Sequence, residues 1–247
     1  MITRDAAHEL AACIASAPFV AETVVVDSGS RDDTVAVARR AGARVVERAF
    51  EGYGPQKNFA VAQAAHDWVL CIDADERVSP DLASAISVLF ASGEPPAAGY
   101  AIARRNRFLG RWLAHGEGYP DWIVRLFDRR RARWSSDPVH EKVVVDGPVA
   151  RVPGDLLHAS AESIDMYIAK QNLYTTMQAE AMHASGETVN ALRLATSPAA
   201  RFFRFYFVKL GFLDGAAGFA HIAIGAFASF LKYAKLRALA ERTKDAR

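Results

Sequence analysis

Short apolar runs alternate with longer helical patterns from the start of the chain to residue 93. Residues 23–26, 44–47 and 68–72 are each a brief β-branched or apolar run closed by a polar turn, as a buried strand would be. Between and after them, residues 5–17, 31–40, 55–65 and 79–93 carry helical patterns, with Gly42 and Gly93 where helices stop. Asp5 is the expected N-cap of the first helix, Ser30 and Asp33 make a capping-box pattern, and Pro55 suits a first helical position. This alternation predicts a Rossmann-like, mostly parallel sheet, residues 68–72 among its strands, with helices on both faces. Ile2-Thr3 reads as the end of a strand whose other residues are absent, so further apolar residues are expected upstream of Met1.

Past residue 93 the pattern changes. Residues 100–104, 122–127 and 143–145 read as strands, and Asp146-Gly147 as a turn. The loop 110–120 is rich in Gly, Trp and His. A helix is predicted over 160–184, with Tyr167, Tyr174 and Ala181 on one face. Pro198 then opens an aromatic and basic helix, and residues 216–231 are nearly free of charge. That last run is shorter than the ~20 residues of a spanning helix. Its basic flanks and many Phe predict a helix pair lying in a membrane interface through residues 198–240. An ordinary helical hairpin packed on the preceding domain fits the same pattern.

Composition narrows the classes. The chain has 247 residues, 51% hydrophobic, enough for one large domain or a domain with an appendage. A formal net charge of only +2 is not that of a polycation, and no nucleic-acid partner is expected. The bases do cluster, at 104–111, 125–133 and the C-terminus; such clusters are most often solvated surface, but they also suit a phosphorylated substrate or an anionic leaflet. Cys13 and Cys71, far apart in apolar patterns, predict neither a disulfide framework nor a cysteine-rich zinc site, and fit a reducing cytosol.

The candidate chemistry begins at Asp73-Ala74-Asp75-Glu76. These acids leave the end of a strand, where ligands bind in α/β sheets. Their hard oxygens suit Mg²⁺ or Mn²⁺ carrying a phosphate; a solvated acidic turn capping the next helix is the alternative. Asp27-Ser28-Gly29-Ser30 is a second strand-to-helix turn, able to offer backbone N–H groups to an anion and a carboxylate to a ribose or base.

Taken together, Val24-Val25-Val26-Asp27-Ser28-Gly29-Ser30, Asp32-Asp33-Thr34, Gly54-Pro55-Gln56-Lys57-Asn58 and Asp73-Ala74-Asp75-Glu76 resemble the nucleotide-sugar half of family-two glycosyltransferases with the GT-A fold. The resemblance implies that Thr3, Asp27, Asp32, Lys57 and Asp73 bind the nucleotide-sugar. It implies further that Asp75 and Asp73 hold a divalent metal, Mg or Mn, with His158 as a further candidate ligand. At Asp5 this chain departs from the family's usual Asn. Arg125-Leu126-Phe127 followed by Asp137-Pro138-Val139-His140-Glu141, and then Leu156-Leu157-His158, is similar to the subgroup of lipopolysaccharide-core β-1,4-glucosyltransferases. Inverting transfer needs one carboxylate to take the acceptor hydroxyl's proton; Glu141 is the candidate base and Asp137 its rival. His140 is either a group that orients that base or a packing residue.

The expected organisation is a GT-A catalytic domain over 1–158, with a nucleotide-sugar half to 93 and an acceptor half from 94, and a C-terminal helical extension over 159–247. The expected activity is transfer of a sugar, glucose first, from a UDP-sugar to a lipopolysaccharide-core or other lipid-linked glycan. It would take place in the cytoplasm, at the inner face of the cell membrane. Two rivals remain at this stage: a nucleotidyltransferase, which shares a Rossmann-like half and paired acids, and a non-catalytic nucleotide-sugar-binding protein.

Overall fold

Three strands lie parallel in the order β1 (Ile2–Thr3), β2 (Val24–Asp27), β3 (Arg44–Glu47). In a strand, successive side chains point to opposite faces, and both faces of β2 are covered. Val25 packs with Leu10 and Ala38, from helices α1 (Ala7–Ala15) and α2 (Thr34–Arg40). Val24 and Val26 pack on the other side with Ala60 of α3 (Tyr53–Gln63). The expected alternation of strand and helix is therefore present, in a computed structural model that describes residues 1–91, 93–137, 141–159 and 163–245.

Residues 68–72 differ from expectation. Their strand, β4 (Trp68–Leu70), is antiparallel to β8 (Asp121–Asp128) rather than part of the parallel set. It opens a second sheet in the order β4-β8-β6-β11-β5, with β5 at Glu76–Val78, β6 at Gly99–Phe108 and β11 at Val149–His158. The reason is topological. β8 returns antiparallel along β6 with no crossover helix between them, so its free edge meets β4 antiparallel. Helix α4 (Pro80–Ala91) contributes Leu82 and Ile86 to a core with Ile102, Leu126 and Leu156 of this sheet.

The described residues form two compact units, Met1–Arg105 with Asp121–His158, and Asn106–Pro120 with Ala159–Arg247. In the second, β7 (Arg111–Trp112) folds back on the end of β6. Helix α5 (Ile164–Ala184) starts at Ser163, whose side chain accepts the Met166 N–H. Its buried face is Tyr167, Thr175 and Ala179, and Ala181 is exposed. Helix α6 (Ala191–Phe203) contains Pro198 within it, and a π-turn (Arg204–Val208) and a 3₁₀ turn (Gly211–Asp214) follow. The charge-poor run is then absorbed into one long helix, α7, of 31 residues (Gly215–Asp245). Among the described residues it is the helix long and apolar enough to cross a membrane by length and composition, but half of that apolar window is buried in the protein. Lys235 of α7 donates to the Asn172 carbonyl and to the Thr175 and Thr176 hydroxyls, tying α7 to α5.

Candidate active site

The two strand-end turns are built differently from their sequence signals. Asp27 is 1% exposed. Its Oδ1 accepts the N–H groups of Gly29 (3.0 Å) and Ser30 (2.9 Å), while Oδ2 accepts the hydroxyls of Ser30 and of Thr3 (3.3 Å). Gly29 has φ +82°, a conformation side chains resist, so this turn needs a glycine. Ser30 is spent on Asp27 and no capping box forms. Nor does Asp5 cap the first helix; it has φ 51° and accepts the Arg31 N–H. The cap comes from a distance: Asp32 accepts the N–H of Ala7 at the start of α1 (3.1 Å) and that of Thr34 at the start of α2 (3.0 Å). The Thr34 hydroxyl leads the contacts that lower the Asp32 pKa.

The Gly-Pro-Gln-Lys-Asn stretch lies on α3, and each side chain has a separate task. A Cβ at Gly54 would run into the Ser135 carbonyl, so only glycine lets α3 approach that backbone. Gln56 donates to Ser28 Oγ at 3.1 Å. Asn58 donates to the Trp134 carbonyl and accepts the Trp134 N–H, both at 2.9 Å. Trp134 ends β9 (Ala132–Trp134), which pairs with β10 (Val143–Val145). The buried Lys57 places Nζ 2.8 Å from Glu141 Oε1 and 3.3 Å from Asp73 Oδ1, and 4.4 Å above the Trp134 ring.

Asp73 therefore meets cations on both oxygens, because Arg125 Nη2 donates to its Oδ2 at 2.8 Å. Burial works against its charged form, but Arg125 and Lys57 outweigh that and hold the carboxyl well below the usual carboxylate range. Arg125 Nη2 also donates to Glu76 Oε1 at 2.9 Å, and Glu76 Oε2 accepts the Asp73 N–H at 2.9 Å. Glu76, fully buried, thus closes the acidic turn on itself and anchors the arginine.

Asp75 turns elsewhere. β5 and β11 pair antiparallel with His158 opposite Glu76, and this register sets His158 Nε2 3.1 Å from Asp75 Oδ2. Asp73, expected to share a metal with these two, is turned toward Lys57 and Arg125 instead. Among the described residues no three acidic, histidine or cysteine side chains gather as a ligand cluster. Of the two candidate bases, Glu141 is 15% exposed and joins this network through Lys57. Asp137 is exposed and accepts the Ser135 hydroxyl at 2.7 Å. His140 lies outside the described residues.

Arg125 corrects a reading from charge clustering. Expected among bases that meet a phosphorylated acceptor or head groups, it is 4% exposed and internal. Arg104 and Arg130 are likewise engaged, with Asp121 (2.6 Å) and with Asp128 (2.8 Å) and Glu94 (2.6 Å). The available signal was its place in Arg125-Leu126-Phe127, where a charge inside an apolar strand implies a buried partner.

Residues 1–145 match the family model described as glycosyl transferase family 2. An uncharacterized glycosyltransferase of Rickettsia typhi is 32% identical over 256 residues, covering 99% of this chain and 88% of its own. The lipopolysaccharide core biosynthesis glycosyltransferase LpsC of Rhizobium meliloti is 34% identical over 234 residues, 92% of this chain and 86% of that one. Among solved structures, a mannosyltransferase from Pyrobaculum calidifontis, in complex with GDP-Man and Mn²⁺, superimposes with a TM-score of 0.55 at 16% identity, over 95% of this chain and 85% of that one. The fold is thus GT-A-like, with a C-terminal helical region.

Proposed function

The chain belongs to glycosyl transferase family 2, and from that premise we propose that it moves a hexose, glucose first among candidates, from a UDP-sugar to a lipopolysaccharide-core or other lipid-linked glycan, with inversion. The observation that carries this reading is Lys57 standing between Asp73 and Glu141. One cation links the candidate donor carboxylate to the candidate base, and a diphosphate arriving nearby would compete for the same ammonium.

The nucleoside is assigned to the turns held by Thr3, Asp27 and Asp32, and the diphosphate to the side of Asp75 and Lys57. Asp75 and His158 fit a divalent ion that brings phosphate oxygens with it. Such an ion is commonly held by one or two protein carboxylates plus substrate phosphates, not by an all-protein cage. When bound it would supply positive charge to the leaving diphosphate. Glu141 takes the proton of the acceptor hydroxyl as that oxygen bonds to the anomeric carbon. The bond from that carbon to the diphosphate breaks, and UDP leaves with the electron pair. Asp73 and Glu76, locked by Arg125, keep the acidic turn in one shape throughout. The C-terminal unit is the part proposed to meet the cytoplasmic face of the membrane.

The test is turnover across a panel of nucleotide sugars, with Mg²⁺ or Mn²⁺ and a core oligosaccharide acceptor. Metal-dependent release of UDP with UDP-glucose, lost in Asp75→Ala, is the expected result. Release of pyrophosphate, or donor binding with no turnover by the full chain, would overturn it.

A further inference from the structure

Asp214 of the second unit is 1% exposed and is met by two basic side chains. Its Oδ2 accepts the N–H groups of Ala114 (2.9 Å) and His115 (2.8 Å). Its Oδ1 faces His115 Nδ1 at 3.3 Å and Arg111 Nε at 4.0 Å. Arg111 also donates through Nη2 to the Leu213 carbonyl at 3.2 Å. Two basic side chains, 35% and 55% exposed, are thereby held by one internal acid.

Beside this pair lies an apolar surface that folding has not covered. Phe203, Phe207, Val208, Leu210, Phe212 and Leu213 are each between 43% and 64% exposed. The aromatic rings among them are continuous through Tyr206: Phe203 meets Phe207, Phe207 meets Tyr206, and Tyr206 meets Phe212, at centroid distances of 5.4, 5.1 and 6.1 Å. Gly116 donates to the Lys209 carbonyl at 2.8 Å and so fixes the apolar turn against the basic loop. Arg204 and Lys209, exposed in the same turn, add positive charge. Contiguous exposed aromatic surface with basic neighbours is uncommon on a soluble face and suits a lipid interface.

We infer that Arg111, held by Asp214, is the headgroup-phosphate contact of a docking face for a bilayer rich in anionic phospholipid, with the Phe203–Phe212 surface entering its apolar boundary. The positive charge of Arg111, Arg204 and Lys209 selects this occupant. The inference deepens the membrane side of the proposed function and is independent of the donor chemistry.

The experiment is co-sedimentation of the full-length protein, without nucleotide sugar, with two vesicle types: phosphatidylcholine alone, and an equal mixture of phosphatidylcholine and phosphatidylglycerol. Binding to the mixed vesicles is expected, with little to phosphatidylcholine. Arg111→Gln should weaken it about fivefold, the worth of one base near an anionic surface. Arg111→Gln with Lys209→Gln should weaken it further, and Phe207→Ser with Phe212→Ser should abolish it. Circular dichroism, and release of UDP measured without vesicles, control for folding and for the donor reading. Absence of vesicle binding, equal binding to both vesicle types, or wild-type binding by the Arg111/Lys209 double variant would each overturn the inference. So would loss of binding on adding millimolar inorganic phosphate at constant ionic strength, which would mark a site for free phosphate.

Discussion

Lys57 Nζ lies 2.8 Å from Glu141 Oε1, across 84 residues of sequence. The same ammonium is 3.3 Å from Asp73, so the candidate base and a candidate donor carboxylate share one counter-ion. A carboxylate held this way is placed and oriented before substrate arrives. If Glu141 is the base, as proposed, its proton acceptance would be tied to a phosphate that draws Lys57 away.

Glu141→Gln keeps the shape and one acceptor oxygen for Lys57 but removes the base. Transfer should fall by about 10²–10⁴, the usual worth of a positioned base. Affinity for the nucleotide sugar, read by calorimetry, should stay within a few-fold. Transfer at the wild-type rate would move the role to Asp137.

Arg125→Met addresses the other cation. It would leave Asp73 and the buried Glu76 without their shared donor, and breaking a buried ion network at one partner costs about 3–5 kcal/mol. In a protein of this size that is a fall in Tm of roughly 6–20 °C. Adding Glu76→Gln should recover part of it by removing a buried charge that then faces only Arg104, at 3.7 Å. Equal Tm values for Arg125→Met and the wild type would show that these two hydrogen bonds carry no weight.

The features legible from sequence are those that spacing alone encodes. The alternation to residue 93, the strand-end acids at 73 and 75, and Lys57 on a helix follow from local period and turn chemistry. What sequence concealed depends on pairing between distant strands. Arg125 reaches Asp73 because β8 runs beside β4; a charge inside an apolar strand implies a buried partner but does not say which. His158 reaches Asp75 through the β5–β11 register, and only the family resemblance implies that the two come together. Asp32 shows the same limit at a helix end. Its turn pattern is local, but the helix start it caps, at Ala7, is 25 residues away.

His221 gives a pH test in the second unit. It is 8% exposed, with its ring 5.6 Å from Tyr167 and 5.2 Å from Phe108. Burial lowers its pKa, aided by Arg201 and opposed by Glu117 and Asp214. The folded state thus binds this proton less readily than the unfolded chain. Its contribution is intact above the unfolded value near 6.5 and is lost as pH falls from there toward the folded value. The unfolding free energy from urea titrations should fall between pH 7 and pH 5.5, by up to about 1.4 kcal/mol per pH unit from this group. His221→Phe should flatten that slope; an unchanged slope would reassign it to other groups.

The Asp75–His158 contact of 3.1 Å makes a prediction about metal choice. An oxygen–nitrogen pair is a compromise. Mg²⁺ prefers oxygen throughout, whereas Mn²⁺ and later divalent ions accept imidazole more readily. If His158 is a ligand, His158→Ala should weaken Mn²⁺ binding in the presence of UDP more than Mg²⁺ binding. If it only orients Asp75, both should weaken alike, by about ten- to a hundredfold. Asp75→Asn should abolish binding of either ion in both cases. Manganese electron paramagnetic resonance titrations, with Mg²⁺ as competitor, read this without any turnover. Full-strength Mn²⁺ binding by Asp75→Asn would remove the metal from this turn and return Asp75 to the role of an acidic cap.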